Sequence, residues 1–276
     1  MSKFPLVRIH QFVTNPRYII FWLRRLMYLK KDSFEFEDQY VNYNPMSNPQ
    51  TLEYIIKNNK SIIRFGDGEF GLLSGAGIFP PDSDWSQKYN LRLKLDIERQ
   101  MSLVSSNILT AFPSKQHLFY REGKGPVLDV ISSMHTEARM FLFKFLNQNQ
   151  SYGSWSVFMP QHHKSMDWQL IKNYIESKTV VIVTGGTSML QDIKLGRETL
   201  FIECGKHNSY ARLDTIKNEI SNMISQRELQ AHSTIFWVSL GCNAGFLVED
   251  LARNGFVAWD TGHIFRFAKK QIMNIR

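Results

Sequence analysis

The chain has 276 residues, 43% hydrophobic and 21% charged, a make-up that supports an ordinary globular core and excludes a fibrous, disordered or disulfide-scaffolded protein. Its two cysteines, Cys204 and Cys242, are far apart and outside any metal-ligand spacing, so a reducing, cytoplasmic setting is expected. The formal charge is +8, but residues 1–31 hold Lys3, Arg8, Arg17, Arg24, Arg25, Lys30 and Lys31 and no acid; the remainder is near neutral, and no nucleic acid partner is indicated.

The first expected element is a helix opened by Asn15 and Pro16. Ile19, Trp22, Leu23, Leu26 and Leu29 fall on one face of it, and Arg17, Arg24 and Lys31 on another. Its apolar run, Tyr18 to Leu23, is far short of the ~20 residues that cross a bilayer, and no signal-peptide cleavage pattern is present. Two readings stand. Residues 15–31 lie on an anionic membrane surface, at the inner face of the plasma membrane, or they pack on the body with their basic side in water. Residues 32–46 are acidic, aromatic and turn-prone and read as a linker, so the expected organisation is an arm and linker over 1–46 and one domain over 47–276.

From Ser47 helix and strand alternate. Helices are expected at 49–58, 85–104, 127–147, 171–177, 209–225 and 244–255. Strands are expected at 61–65, 107–112, 179–186, 199–204, 233–241 and 256–260, with SVFMP at 156–160 in a looser stretch. Continuous apolar strands separated by helices predict an α/β fold, a Rossmann-like, mostly parallel sheet with helices on both faces. Such sheets bind ligands beyond the carboxyl ends of their strands.

The strand ends carry the chemistry. In SIIRFGDGEFGLLSG (61–75) the strand ends on Arg64 and Gly66, and Asp67 and Glu69 follow. Two neighbouring carboxylates repel unless a cation joins them, and Mg2+ or Mn2+ takes oxygen ligands, one or two carboxylates plus substrate phosphates. Arg64 beside them suits carboxylate or phosphate. The competing reading is structural: Asp67 caps a helix starting at Gly68 and Glu69 complements its dipole. GCNAG (241–245) ends a strand and opens a helix, where backbone amides near Gly241 and Ala244 can face an anion. TGGT (184–187), with Gly185, is a second such turn. DTGHI (260–264) puts Asp260, the kind of acid that holds ribose hydroxyls, three residues before His263, which can touch phosphate, bind metal or move a proton.

Taken together, RFGDGEF, GKHNSY, SLGCNAGFLVEDLARNGF and AWDTGHI, in this order, resemble the GT-D glycosyltransferases, formerly the DUF1792 domain, over roughly residues 48–265. That family's N-A-F is Asn208-Ser-Tyr here, and Phe265 stands where its last motif has an acid. The resemblance implies a GT-D-type fold and transfer of a hexose from a nucleotide-sugar donor, typically a UDP-sugar, to a glycan or lipid-linked acceptor in surface polysaccharide or glycoprotein synthesis. It implies that Asp67 and Glu69 support a divalent metal, Mn2+ or Mg2+, and the donor diphosphate. Arg64, Gly66, Gly185, Asn208, Gly241, Ala244 and Asp260 would then surround the donor, and His263 would act at the reacting end. The alternatives are a Rossmann-type enzyme using NAD or S-adenosylmethionine, which leaves Asp67 and Glu69 idle, and a catalytically inactive scaffold.

Overall fold

The computed structural model describes residues 37–73, 87, 89–118, 136–159, 166–186, 190, 192–205 and 208–273. The arm expected at 15–31, the first part of the helix expected at 127–147, and His162, His163, Lys206 and His207 lie outside the described residues.

Among the described residues seven strands are present: β1 (Ser61–Arg64), β2 (Ile108–Phe112), β3 (Gly153–Ser154), β4 (Thr179–Thr184), β5 (Glu198–Glu203), β6 (Thr234–Ser239) and β7 (Val257–Asp260). Six join in the order β3-β2-β1-β7-β6-β4, every pair parallel. β5 runs beside β4, where the Cys204 amide donates to the Thr184 carbonyl at 2.8 Å, and completes a seven-stranded parallel sheet.

The residue pattern explains the layering. Alternate residues of β4 and β6 go to opposite cores: Val181, Val183, Phe236 and Val238 to one, Val180, Ile182, Ile235 and Trp237 to the other. Two covered faces demand continuous apolar strands, and each fully buried side chain of this kind contributes ~1.5–3 kcal/mol. β5, more exposed along its length, is the outer strand.

The helices are α1 (Asn48–Lys57), α2 (Asp67–Leu73), α3 (Leu91–Met101), α4 (Lys115–Leu118), α5 (Thr136–Phe141), α6 (Trp168–Ile175), α7 (Leu213–Gln226), α8 (Ala244–Arg253) and α9 (Ile264–Met273). α2, α3, α7 and α8 supply the first core; α1, α6 and α9 supply the second. α3 starts at Leu91, not near 85, because the Asn90 side chain caps it by accepting from the Arg92 amide at 2.8 Å. In the stretch read as looser, residues 155–158 form turns after the two-residue β3.

α8 sits directly on β1. A Cβ on Gly245 would come within 3.0 Å of Ile63 Cγ2 and 2.9 Å of Gln100 Oε1, so only glycine allows this approach. Glu249, buried on the same helix, accepts both terminal nitrogens of Arg99 at 2.7 Å, Gln100 Nε2 at 2.8 Å and an Arg253 nitrogen at 2.6 Å. Burial alone would raise its carboxyl, but these donors hold it below the usual range. Residues 37–46, read from sequence as linker, belong to the body: Tyr40 and Tyr43 are buried in the first core, and the Tyr40 hydroxyl donates to the Arg139 carbonyl at 2.8 Å.

Candidate active site

β1 and β7 are neighbours, yet their chains leave to opposite faces. α2 follows β1 and buries Phe70 and Leu72 in the first core; α9 follows β7 and buries Ile264 and Phe265 in the second. A crevice opens where adjacent connections part, and this is where Arg64, Gly66, Glu69 and Asp260 lie, at the ends of β1 and β7.

Arg64 is locked in place. Its Nε donates to the Asp260 carbonyl at 2.6 Å, Nη1 to the Trp155 carbonyl at 2.8 Å and Nη2 to Asp260 Oδ1 at 3.2 Å. Among the described residues these bonds use three of the five guanidinium N–H groups. Asp260 also accepts from the backbone amides of Arg64 (3.3 Å) and Gly262 (3.1 Å). Burial pushes its carboxyl above the ordinary value, and the Arg64 guanidinium and these amides oppose that rise. The ribose contact expected of the Asp260 carboxylate therefore competes with three hydrogen bonds made inside the protein. The guanidinium lies over Gly262, whose φ is +52° and whose missing Cβ would collide with Nη2.

α2 begins at Asp67, one residue before the expected Gly68, with Gly66 as its cap. Glu69 is the third helical residue, and its Oε2 accepts from the Gly66 amide at 2.7 Å, the reach-back half of a capping box. Part of the structural reading of Glu69 thus holds. The Asp67 side chain lies outside what the structure describes. The Trp155 ring packs on Gly66; a Cβ there would stand 3.3 Å from Cε3.

The turn Gly241–Asn243, a short 3-10 segment leading into α8, packs against α2. Burial pushes the Cys242 thiol well above its ordinary value, and the carboxylates of Glu69 and Asp260 push it further. Burial likewise lifts the Cys204 thiol, to about 12. Gly241 is exposed, and a Cβ there would meet nothing within 4 Å, which leaves its backbone open to a ligand. Among the other expected residues, Gly185 follows β4 and His263 is exposed where α9 begins.

Asn208 stands to one side of this group, in the left-handed conformation at φ 51°. Its Oδ1 accepts from Gln87 Nε2 at 2.7 Å, and Gln87 Oε1 accepts from Asn243 Nδ2 at 3.0 Å, so a buried amide bridge ties Asn208 to the start of α8. Asn208 also lines a cavity of about 620 Å³ between α3, α7 and α8. Gln87, Asn243 and Trp155 were missed from sequence. Asn243 could have been found inside GCNAG; nothing around Gln87 marks it, and Trp155 looked like any core tryptophan.

Among the described residues no group of three or more His, Cys, Asp or Glu side chains could hold a metal ion. A cation here would take Glu69, Asp67 and phosphate oxygens of the donor. That is a hard-oxygen set of the kind Mg2+ and Mn2+ accept with one or two protein carboxylates; Glu69 would offer its other oxygen, since Oε2 accepts from the Gly66 amide.

The group around Arg64 and Asp260 lies at the switch point of a doubly wound parallel sheet, the place where α/β folds of this kind bind their ligands. The family follows from comparison: residues 62–269 match the model of the glycosyltransferase GT-D fold, and the chain belongs to that family. It is 24% identical over 235 residues to the probable glycosyl transferase Gly of Streptococcus gordonii and 26% identical over 229 residues to glycosyltransferase GlyD of Streptococcus pneumoniae serotype 4. The matches take in 79% and 78% of this chain but only 32% and 26% of those proteins, so the chain spans about a third or less of their length. In fold it resembles a solved domain of unknown function 1792 described as having a distinct glycosyltransferase fold, with TM-score 0.69, 21% identity and coverage of 88% of this chain and 86% of that one. A DUF1792 glycosyltransferase from Streptococcus sanguinis superposes with TM-score 0.62 and 23% identity, covering 84% and 85%.

Proposed function

We propose that this chain transfers a hexose from a nucleotide sugar, a UDP-hexose, to a glycan or lipid-linked acceptor, with the donor diphosphate in the β1–β7 crevice. The observation that carries this reading is the Arg64–Asp260 pair: it fixes a guanidinium at the end of β1, next to the start of α2, with three of its five N–H groups bonded among the described residues. In the reaction the anomeric carbon–oxygen bond to the diphosphate breaks, its electrons go to the leaving phosphate, and an acceptor hydroxyl forms the new bond as it loses its proton. Arg64 and the amides near Gly241 and Ala244 would stabilise the charge that grows on the leaving group, where fixed electrostatics help most. A divalent ion bound by Asp67 and Glu69 would supply further positive charge there. Asp260 acts by holding Arg64. His263, exposed at the entry to α9, would contact phosphate or carry the proton. Asn208, on the 620 Å³ cavity, would face the nucleoside.

The NAD or S-adenosylmethionine reading asks Asp260 to hold a ribose, and the buried pair with Arg64 disfavours it. A screen of nucleotide sugars for slow hydrolysis, with and without Mn2+, tests the proposal. Nucleoside diphosphate release from at least one donor is the expected result, and release from none would point to the inactive scaffold.

The basic segment 15–31 would bring the enzyme to an anionic leaflet, each Lys or Arg contributing on the order of 1 kcal/mol near the surface. No helix among the described residues is long and apolar enough to cross a membrane. Full-length protein should co-sediment with phosphatidylserine-containing vesicles and be released by salt. Indifference to those vesicles at low salt would make the segment a packed helix instead.

A further inference from the structure

A second cavity, of about 910 Å³, opens at the same edge of the sheet on the side away from Asn208. It runs along α1, from Asn44 before the helix to Asn58 after it, and is closed by residues after β2 and at the end of β3. Its lining has five hydroxyl side chains (three of them Ser114, Ser154 and Ser156), five amides, and only three charged carboxylate or ammonium groups, Glu53, Lys57 and Lys115.

One indole separates this groove from the crevice. Ser154 and Ser156 in its wall flank Trp155, whose carbonyl holds Arg64 and whose ring covers Gly66. On the groove side the His117 ring meets the Trp155 ring edge-on, centroids 5.8 Å apart, and His117 Nδ1 is 2.6 Å from Ser114 Oγ. The Ser154 and Ser156 hydroxyls are 3.1 Å apart, and Ser156 Oγ donates to Asn48 Oδ1 at 3.1 Å. Groups that both donate and accept suit a sugar ring, whose hydroxyls do the same. An apolar peptide would find few apolar partners here, and a polyanion only two lysines. The 620 Å³ cavity differs: Arg99 and Arg253 are paired with Glu249, Lys217 with Asp250, and the Tyr210 hydroxyl with Asp96.

We infer that the groove beside Trp155 is the acceptor subsite and takes a neutral, hydroxyl-rich saccharide. This deepens the proposed transferase reading and rests on it. Acceptor and donor would then approach the reacting carbon from opposite sides of Trp155.

Ligand-observed NMR with full-length protein and a panel of neutral disaccharides (lactose, N-acetyllactosamine, cellobiose, chitobiose and maltose) tests the inference directly. At least one should bind, and Lys115→Ala combined with Gln116→Ala should weaken it tenfold or more. Asn90→Ala in the other cavity should leave that binding within twofold of wild type. Binding of no disaccharide, or binding unchanged by the groove variant, overturns the inference. Donor hydrolysis without acceptor is read in parallel. It should survive in the groove variant, and its absence from the wild type would count against the transferase reading while leaving the saccharide measurement intact.

Discussion

Glu69→Gln is expected to fold like the wild type and to lose sugar transfer by about a hundredfold or more, a rise of about 3 kcal/mol in the barrier. The substitution separates the two jobs of one side chain. Glu69 reaches back to the Gly66 amide at 2.7 Å, a contact that a glutamine carbonyl also makes. What glutamine lacks is the negative charge that would support a cation and the donor diphosphate. Glu69→Ala removes both, and should add a stability loss of about 1 kcal/mol to the loss of turnover. Thermal unfolding and donor turnover, measured side by side, check this. Full activity in Glu69→Gln, or full wild-type activity in chelator, would leave Glu69 as a helix cap and end the metal assignment.

Gly262→Ala should be costly for a different reason. The residue is left-handed at φ +52°, a conformation costing an alanine about 1–2 kcal/mol. Its new methyl would also drive the Arg64 guanidinium off Asp260, and an unpaired buried charge costs about 3–5 kcal/mol where nothing relaxes. With the guanidinium relaxing toward water the second cost shrinks, and a net loss of roughly 3 kcal/mol would lower the Tm by about 6–12 °C in a body of this size. Turnover should fall with it if Arg64 acts on the leaving group as proposed, because the arginine is the group displaced. Asp260→Asn makes the companion test: it keeps the shape and removes the charge, so it should lower turnover with a smaller shift in Tm. A Gly262→Ala protein with wild-type Tm and kinetics would show that Arg64 does not need this seat.

The central strands were plain in the sequence because their physics is local. TVVIVT and TIFWVS cannot be satisfied except between two apolar layers, and both are fully inside the sheet. The acidic start of α2 was also legible, since Asp67 and Glu69 follow directly on a strand. The partnership of Arg64 with Asp260 was not, because the two are 196 positions apart and meet only once β7 lies beside β1. The two-residue β3 is too short for any periodicity to register, so Trp155 at its end carried no signal of its place between the crevice and the groove. Gln87 was hidden for the same reason as Arg64: its partners Asn208 and Asn243 are 121 and 156 positions away. Tyr40 and Tyr43 misled in the opposite direction, because an acidic, turn-rich neighbourhood outweighed two aromatics that the core needed.

The divergence of α2 and α9 from neighbouring strands has a consequence for how such an enzyme can change over evolutionary time. The crevice exists because of the order in which the chain lays down its strands, so it survives any substitution that keeps β1 beside β7. Rims built from different segments can then drift separately: the Asn208 side on α3, α7 and α8, the Trp155 side on α1 and the ends of β2 and β3. Variation on one rim need not disturb the other, so a lineage can exchange one substrate specificity while inheriting the reaction centre intact.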